Sequence, residues 1–138
     1  MTKKTIFVVD DSDANLEKAK KALQKEYRVF TFPSAEKMFS LLDKIIPDMI
    51  LLDIEMPGIS GFDAIAALKK NPDWADIPVL FLTGWNEDMV MSQGLKLGAL
   101  DFVNKPFSIP VLLKRVENYL TLDEFLKRQA KLVDLKLK

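Results

Sequence analysis

The sequence predicts an α/β fold, a doubly wound parallel sheet of five strands alternating with five helices. Three observations predict it. Short apolar runs recur along the chain, each followed by a segment with helical periodicity. Several of these runs are apolar throughout rather than alternating, as in strands covered by helices on both faces. The chain has 138 residues, enough for one domain with a real core and little left over.

Each element can be justified in turn. Thr5-Ile6-Phe7-Val8-Val9 is short and β-branched, a buried strand. Asp13 is placed to cap the following helix, in which Leu16, Ala19, Ala22 and Leu23 form one apolar face among lysines. Tyr27–Phe32 is a more polar second strand, expected nearer an edge. Ser34 caps a helix running to about Asp43. Met49-Ile50-Leu51-Leu52 is the third strand, and Pro57-Gly58 breaks the chain after it. Phe62–Lys70 is the third helix, ended by Asn71-Pro72. Pro78–Leu82 is the fourth strand. The fourth helix starts at Asn86 or Glu87, runs to Leu97 and is closed by Gly98. Leu100–Val103 is a short fifth strand, and Ile109–Leu120 a fifth helix with Pro110 in its first turn.

Composition excludes several classes of chemistry. The chain has no His and no Cys, so it has no disulfide, thiol nucleophile, Ser-His-Asp triad or Cys/His zinc site. Twenty basic residues balance twenty acidic ones, which gives no sign of a nucleic-acid or membrane surface. The longest uncharged run, Ile77–Asn86, is ten residues, too short to cross a bilayer. The start of the chain lacks a secretory pattern, and the cytoplasm is the expected compartment. What remains for chemistry is carboxylates, hydroxyls, Lys or Arg, and a hard metal ion.

In open parallel α/β sheets, ligands bind at the carboxyl ends of the strands. Asp10 and Asp11 follow strand one there, Asp53 strand three, and Thr83 with Gly84 strand four. Lys105-Pro106 lies two residues beyond strand five. Three carboxylates close together repel unless a cation neutralises them, and an all-oxygen site suits Mg²⁺. A strand-end carboxylate such as Asp53 can act as a nucleophile toward phosphorus, with Thr83 and Lys105 of the right type to hold phosphoryl oxygens. Taken singly, each residue also has an ordinary reading. Asp10-Asp11 would be turn residues, Asp53 a loop acid, Thr83 a helix cap and Lys105 a surface lysine.

The constellation resembles the receiver domain of two-component response regulators. The resemblance is carried by Val8-Val9-Asp10-Asp11, the stretch from Pro47 to Gly61, Leu82-Thr83-Gly84, and Gly98 through Lys105-Pro106-Phe107. It implies strand order 2-1-3-4-5 in a flavodoxin-like three-layer sandwich over residues 4–120. It implies that Asp53 accepts a phosphoryl group from a phosphohistidine on a histidine kinase or histidine phosphotransfer protein. It further implies that Asp11, Asp53 and the Glu55 carbonyl bind Mg²⁺ (or Mn²⁺) directly, with Asp10 acting through water. Thr83 and Lys105 would engage the phosphoryl oxygens. Phe102 stands at the switch position, and Glu55 and Trp85 at positions that tune phosphoryl lifetime. The face built from helix four, strand five and helix five would then control an output partner or module. On this reading the chain is a signalling phosphoacceptor rather than an enzyme, and it does not itself bind nucleic acid. Two departures stand out. Gly84 replaces the usual Ala, and Phe102 lacks a Tyr hydroxyl, so any switch works by packing alone.

Residues 121–138 are surplus to that domain and read as a helical extension. Leu112, Val116, Tyr119, Asp123, Leu126, Ala130, Val133 and Leu137 keep a spacing of three and four, as a coiled-coil seam would. The alternative is a helix that folds back on the domain or frays. The stretch from Leu113 to Leu122 resembles the linker that joins receivers to cyclic-dinucleotide synthase or hydrolase modules, so the chain is either a piece of a longer regulator or a stand-alone receiver. A homodimer would form through the tail or through the face of helices four and five. Two other functions compete: a haloacid-dehalogenase-like phosphatase with Asp11 as nucleophile, and a receiver-like module that is never phosphorylated.

Overall fold

The computed structural model describes residues 3–85 and 87–137. The chain alternates β1 (Thr5–Val9), α1 (Asp13–Leu23), β2 (Arg28–Phe32), α2 (Ala35–Leu42) and β3 (Met49–Asp53), then α3 (Gly61–Lys70), β4 (Val79–Thr83), α4 (Asp88–Lys96), β5 (Asp101–Asn104) and α5 (Ile109–Leu137). All strand pairs are parallel and the order is β2-β1-β3-β4-β5. β1, β3 and β4 are buried along their whole length, as their unbroken apolar runs require. β2 lies at the edge and is partly exposed, in keeping with its mixed sequence.

Alternate strand residues serve two separate cores. Phe7, Val9, Ile50, Leu52, Val79, Phe81 and Phe102 pack with α2, α3 and the inner side of α4. Ile6, Val8, Met49, Leu51, Leu80, Leu82 and Val103 pack with α1 and α5. The result is helices on both faces of one sheet, with every strand delivering its carboxyl end to the same rim.

Three of the helix starts are fixed by serines. Ser12, Ser34 and Ser60 each accept a hydrogen bond from the backbone N–H three residues on. Ser12 therefore takes the capping role expected of Asp13, which falls instead in the first turn, where its charge suits the helix dipole. α4 begins after Glu87 without a side-chain cap. The alternative start at Asn86 lies outside the described residues, as does Lys138 at the end of the tail. Gly98, at φ +112°, ends the α4 segment in a conformation that disfavours any side chain.

The tail neither turns back nor breaks. α5 is one helix of 29 residues. Its first half is fastened to β5: Arg115 donates to the Phe102 carbonyl, and Tyr119 Oη donates to Asp101 Oδ2 at 2.9 Å. Beyond the sheet, Lys4 pairs with Glu124 at 2.5 Å. From Phe125 onward the described side chains are exposed.

Candidate functional site

Three strand ends and one loop build the site. Asp10 follows β1 and is fully buried, Asp53 and Thr83 close β3 and β4 and are each 2% exposed, and Lys105 lies just past β5. The Lys105 backbone N–H donates to the Thr83 carbonyl at 2.8 Å, which carries the pairing of β4 and β5 one residue past the strand. The Lys105–Pro106 bond is cis. The Lys105 ammonium bridges Asp10 Oδ2 at 3.1 Å and Asp53 Oδ1 at 3.0 Å.

The two buried acids differ in what surrounds them. Asp10 Oδ1 accepts from the Ser12 N–H at 2.9 Å, and its Oδ2 accepts from Asn15 Nδ2 at 3.3 Å as well as from Lys105. Asp53 Oδ1 accepts from Lys105 and from the Glu55 N–H at 3.3 Å. Asp53 Oδ2 has no partner, and it is the one buried side-chain nitrogen or oxygen among the described residues left in that state. Buried polar atoms are normally satisfied, so an orphan of this kind calls for a ligand or a chemical role.

Asp11 is exposed at the mouth of the site, and oxygens of Asp10, Asp11 and Asp53 lie within 4.8 Å of one another. Burial pushes the Asp53 carboxyl up to about 7; Lys105 pulls it down and Asp10 pushes it up further. For Lys105, burial acts to lower the ammonium, but Asp53 and Asp10 more than offset it and the net direction is upward. Three carboxylates with a single ammonium leave a negative, all-oxygen site with one free buried acceptor, Asp53 Oδ2. Those donors fit a hard divalent cation such as Mg²⁺ or Mn²⁺.

Space for a phosphoryl-sized group is present. A cavity of about 330 Å³ is lined by Asp53, Glu55, Thr83, Gly84, Trp85 and Lys105. Gly84 lines this cavity, and a Cβ there would meet nothing within 4 Å, so the more usual Ala would also fit without a clash. Trp85 is 40% exposed and stands between this cavity and a neighbouring hollow of about 450 Å³ floored by Ile54, Met56 and Phe62. Thr83 Oγ1 accepts from the Trp85 N–H at 2.9 Å, which ties the hydroxyl to its own loop rather than to α4. Phe102 is turned inward, 3% exposed, with its ring 5.8 Å from that of Phe81. Gly94 on α4 makes that orientation possible, because a Cβ there would lie 2.9 Å from Phe102 Cζ.

Every candidate site residue named from the sequence thus lies on this rim or, for Phe102, in the core behind it against Phe81. Asn15 and Gly61 were not singled out. Asn15 reaches Asp10 from the first turn of α1, and Gly61 packs against the backbone of Asp53. The sequence signal for Asn15 was only its place one helical turn beyond a strand-end acid, whereas Gly61 is the last residue of the stretch that carries the resemblance.

Comparison with known proteins agrees with this geometry. The family model described as Response regulator receiver domain matches residues 6–117. The chain is 40% identical over 116 residues to a protein of Vibrio cholerae named probable cyclic di-GMP phosphodiesterase, covering 84% of this chain and 26% of that one. It is 36% identical over 130 residues to the response regulator PleD of Caulobacter vibrioides, covering 91% and 29%. It therefore spans less than a third of the length of these relatives. The crystallised chemotaxis protein CheY4 of Vibrio cholerae superposes with a TM-score of 0.81 at 26% identity, over 85% of this chain and 98% of that one. No helix among the described residues is long and apolar enough to cross a membrane. With its sheet order, its rim of acids and its sequence match all in agreement, the chain belongs to the response regulator receiver domain family of two-component signalling.

Proposed function

We infer that Asp53 is the phosphoacceptor, and the observation that carries this is its buried, unpartnered Oδ2 beside an open cavity. In the reaction, Asp53 Oδ2 attacks phosphorus on a donor phosphohistidine; the P–O bond forms as the P–N bond breaks, and the histidine leaves. Lys105 holds one phosphoryl oxygen through its ammonium, and the Thr83 hydroxyl, which accepts from the Trp85 N–H, keeps its own O–H to donate to a second. Asp11, Asp53 and the Glu55 carbonyl would hold Mg²⁺ or Mn²⁺, with Asp10 acting through water; the ion supplies charge neutralisation at the phosphoryl oxygens. Asp10, already engaged by three donors, is unsuited to attack.

The competing readings have less support. Asp11 is exposed and lacks the buried surroundings that would make it a nucleophile of the phosphatase type. A module that is never phosphorylated leaves the free Oδ2 and the Lys105 bridge without a role. The test is incubation with acetyl phosphate and Mg²⁺ followed by peptide mass spectrometry. The expected result is one phosphoryl group on the peptide containing Asp53, absent from Asp53→Asn. Label on Asp11, or no label from any small or histidine donor, would reject the assignment.

The partners follow from the same reading: a histidine kinase or histidine phosphotransfer protein as donor, in the cytoplasm, and an output controlled through α4, β5 and α5. The wide apolar face of the tail, with Leu126 and Val133 both more than half exposed, supports a coiled-coil contact between two copies. The relative named as a cyclic di-GMP phosphodiesterase supports an output of the cyclic-dinucleotide class. Trp85 shields the cavity from attacking water, so Trp85→Ala is expected to speed dephosphorylation several-fold. A rate that stays the same or falls would assign Trp85 to surface packing alone.

A further inference from the structure

We propose that Lys18 is a positioning residue for Lys105, acting through the backbone of the loop that carries it. The proposal rests on the receiver reading above, because it concerns the same phosphoryl transfer.

The observation is a contact between α1 and the loop after β5. Lys18 Nζ donates to the Phe107 carbonyl at 2.5 Å and lies 4.6 Å from the centre of the Phe107 ring. Phe107 itself is 3% exposed and packs in the core shared with α1 and α5. Its ring is therefore fixed by packing, and Lys18 fixes its carbonyl. A hydrogen bond from a charged donor is stronger than a neutral one, and a ring face adds to the hold on the ammonium.

Lys105 lies two residues before this anchor. On its other side, its own N–H is bonded to the Thr83 carbonyl. The segment from Lys105 to Phe107 is thus pinned at both ends, by β4 on one side and by α1 on the other. The ammonium of Lys105 reaches Asp10 and Asp53 from between those pins.

Its position on α1 strengthens the case. Asn15 and Lys18 are three residues apart and lie on one face of the helix. Asn15 holds Asp10 from the same helix on which Lys18 holds the Lys105 loop. One face of α1 thereby sets both members of the Asp10–Lys105 pair. A lysine on a helix surface is ordinarily solvated, whereas this one spends its charge on a backbone carbonyl 89 residues away in sequence.

Small displacements of a group that stabilises a transition state are costly, about a hundred-fold per ångström in well-organised sites. Lys18→Met keeps the length of the stem and removes the donor. It is expected to slow labelling of Asp53 by acetyl phosphate by about ten-fold and to weaken beryllofluoride binding in parallel, while Mg²⁺ binding is retained. Lys18→Arg, which keeps a charged donor, is expected to recover most of the rate. The decisive measurement is the cycle with Lys105→Met. If Lys18 acts through Lys105, adding Lys18→Met to Lys105→Met changes the residual labelling rate by less than about two-fold. Losses that multiply, or a Lys18→Met chain that labels at the wild-type rate, would overturn the proposal. Urea midpoints for all four proteins distinguish lost folding from lost positioning, and Lys18→Arg serves as the test should Lys18→Met not fold. A wild-type chain that takes no label at Asp53 would instead overturn the receiver reading, and this inference with it.

Discussion

Gly61→Ala is expected to destabilise the fold by about 3 kcal/mol or more, and to lower its thermal midpoint by roughly 10 °C. The reason is contact with backbone rather than with a movable side chain. A Cβ at position 61 would lie 2.2 Å from the Asp53 carbonyl oxygen, 2.7 Å from Ile54 Cα and 3.0 Å from the Asp53 carbonyl carbon. The Gly61 N–H also donates to the Ile54 carbonyl at 2.8 Å, which closes the loop from β3 onto α3. Relief requires α3 to move off the end of β3, and that strand end carries Asp53. Labelling of Asp53 should therefore fall along with stability. Gly94→Ala is the useful contrast, because the atoms it would strike belong to the rings of Phe102 and Phe81. Urea denaturation of the two variants, with labelling rates measured where each is folded, checks this. A Gly61→Ala chain within 1 kcal/mol of wild type would mean that the strand end yields more readily than its packing implies.

Asp53→Asn is expected to stabilise the metal-free protein at pH 8 by about 2–3 kcal/mol, although it removes the reactive group. In the folded chain the Asp53 carboxyl is pushed up to about 7 from its ordinary 3.8, chiefly by burial. Below 3.8 the carboxyl is protonated in both states and carries no penalty. Between that value and about 7, the unfolded chain has released the proton and the folded chain still holds it. The folded state then binds more protons, so stability falls as pH rises, and the loss is complete above about 7. The full loss is on the order of 4 kcal/mol; the amide recovers only part of it because it gives up the ion pair with Lys105. Urea midpoints in chelator at pH 5 and pH 8 should converge toward each other in Asp53→Asn relative to wild type. Mg²⁺ should raise the wild-type midpoint more at pH 8 than at pH 5. A wild-type minus variant difference that does not change with pH would remove the basis for both statements.

Most of the fold could be read from the sequence because burial on both faces leaves a direct mark on a strand. Phe7, Ile50 and Phe81 serve one core and Val8, Leu51 and Leu80 the other, so neither set can be polar. Local capping was less clear. Ser12 and Asp13 are both good caps by type, and only the extended backbone at Ser12 decides between them. The acids and the lysine of the site were legible because strand ends of a parallel sheet must meet at one rim. The difference between Asp10 and Asp53 was not. Asp10 is satisfied by Ser12, Asn15 and Lys105, whereas Asp53 keeps a free oxygen, and that asymmetry arises only when α1 and the β5–α5 loop close over the rim. Lys18 was hidden for the same reason, since its partner is a backbone carbonyl and leaves no trace in residue type.

The unbroken run of α5 has a mechanical consequence. At 1.5 Å per residue its 29 residues span about 43 Å, of which about 25 Å lies past Leu120, the last fully packed position. The half inside the domain is clamped to β5 next to Phe102 by Arg115 and Tyr119. The helix is therefore a lever whose short arm rests on the sheet and whose long arm projects from the opposite end of the domain. A tilt of about 10° at the clamp would shift the Leu137 end of the helix by about 4 Å, with no residue of the long arm changing its own conformation.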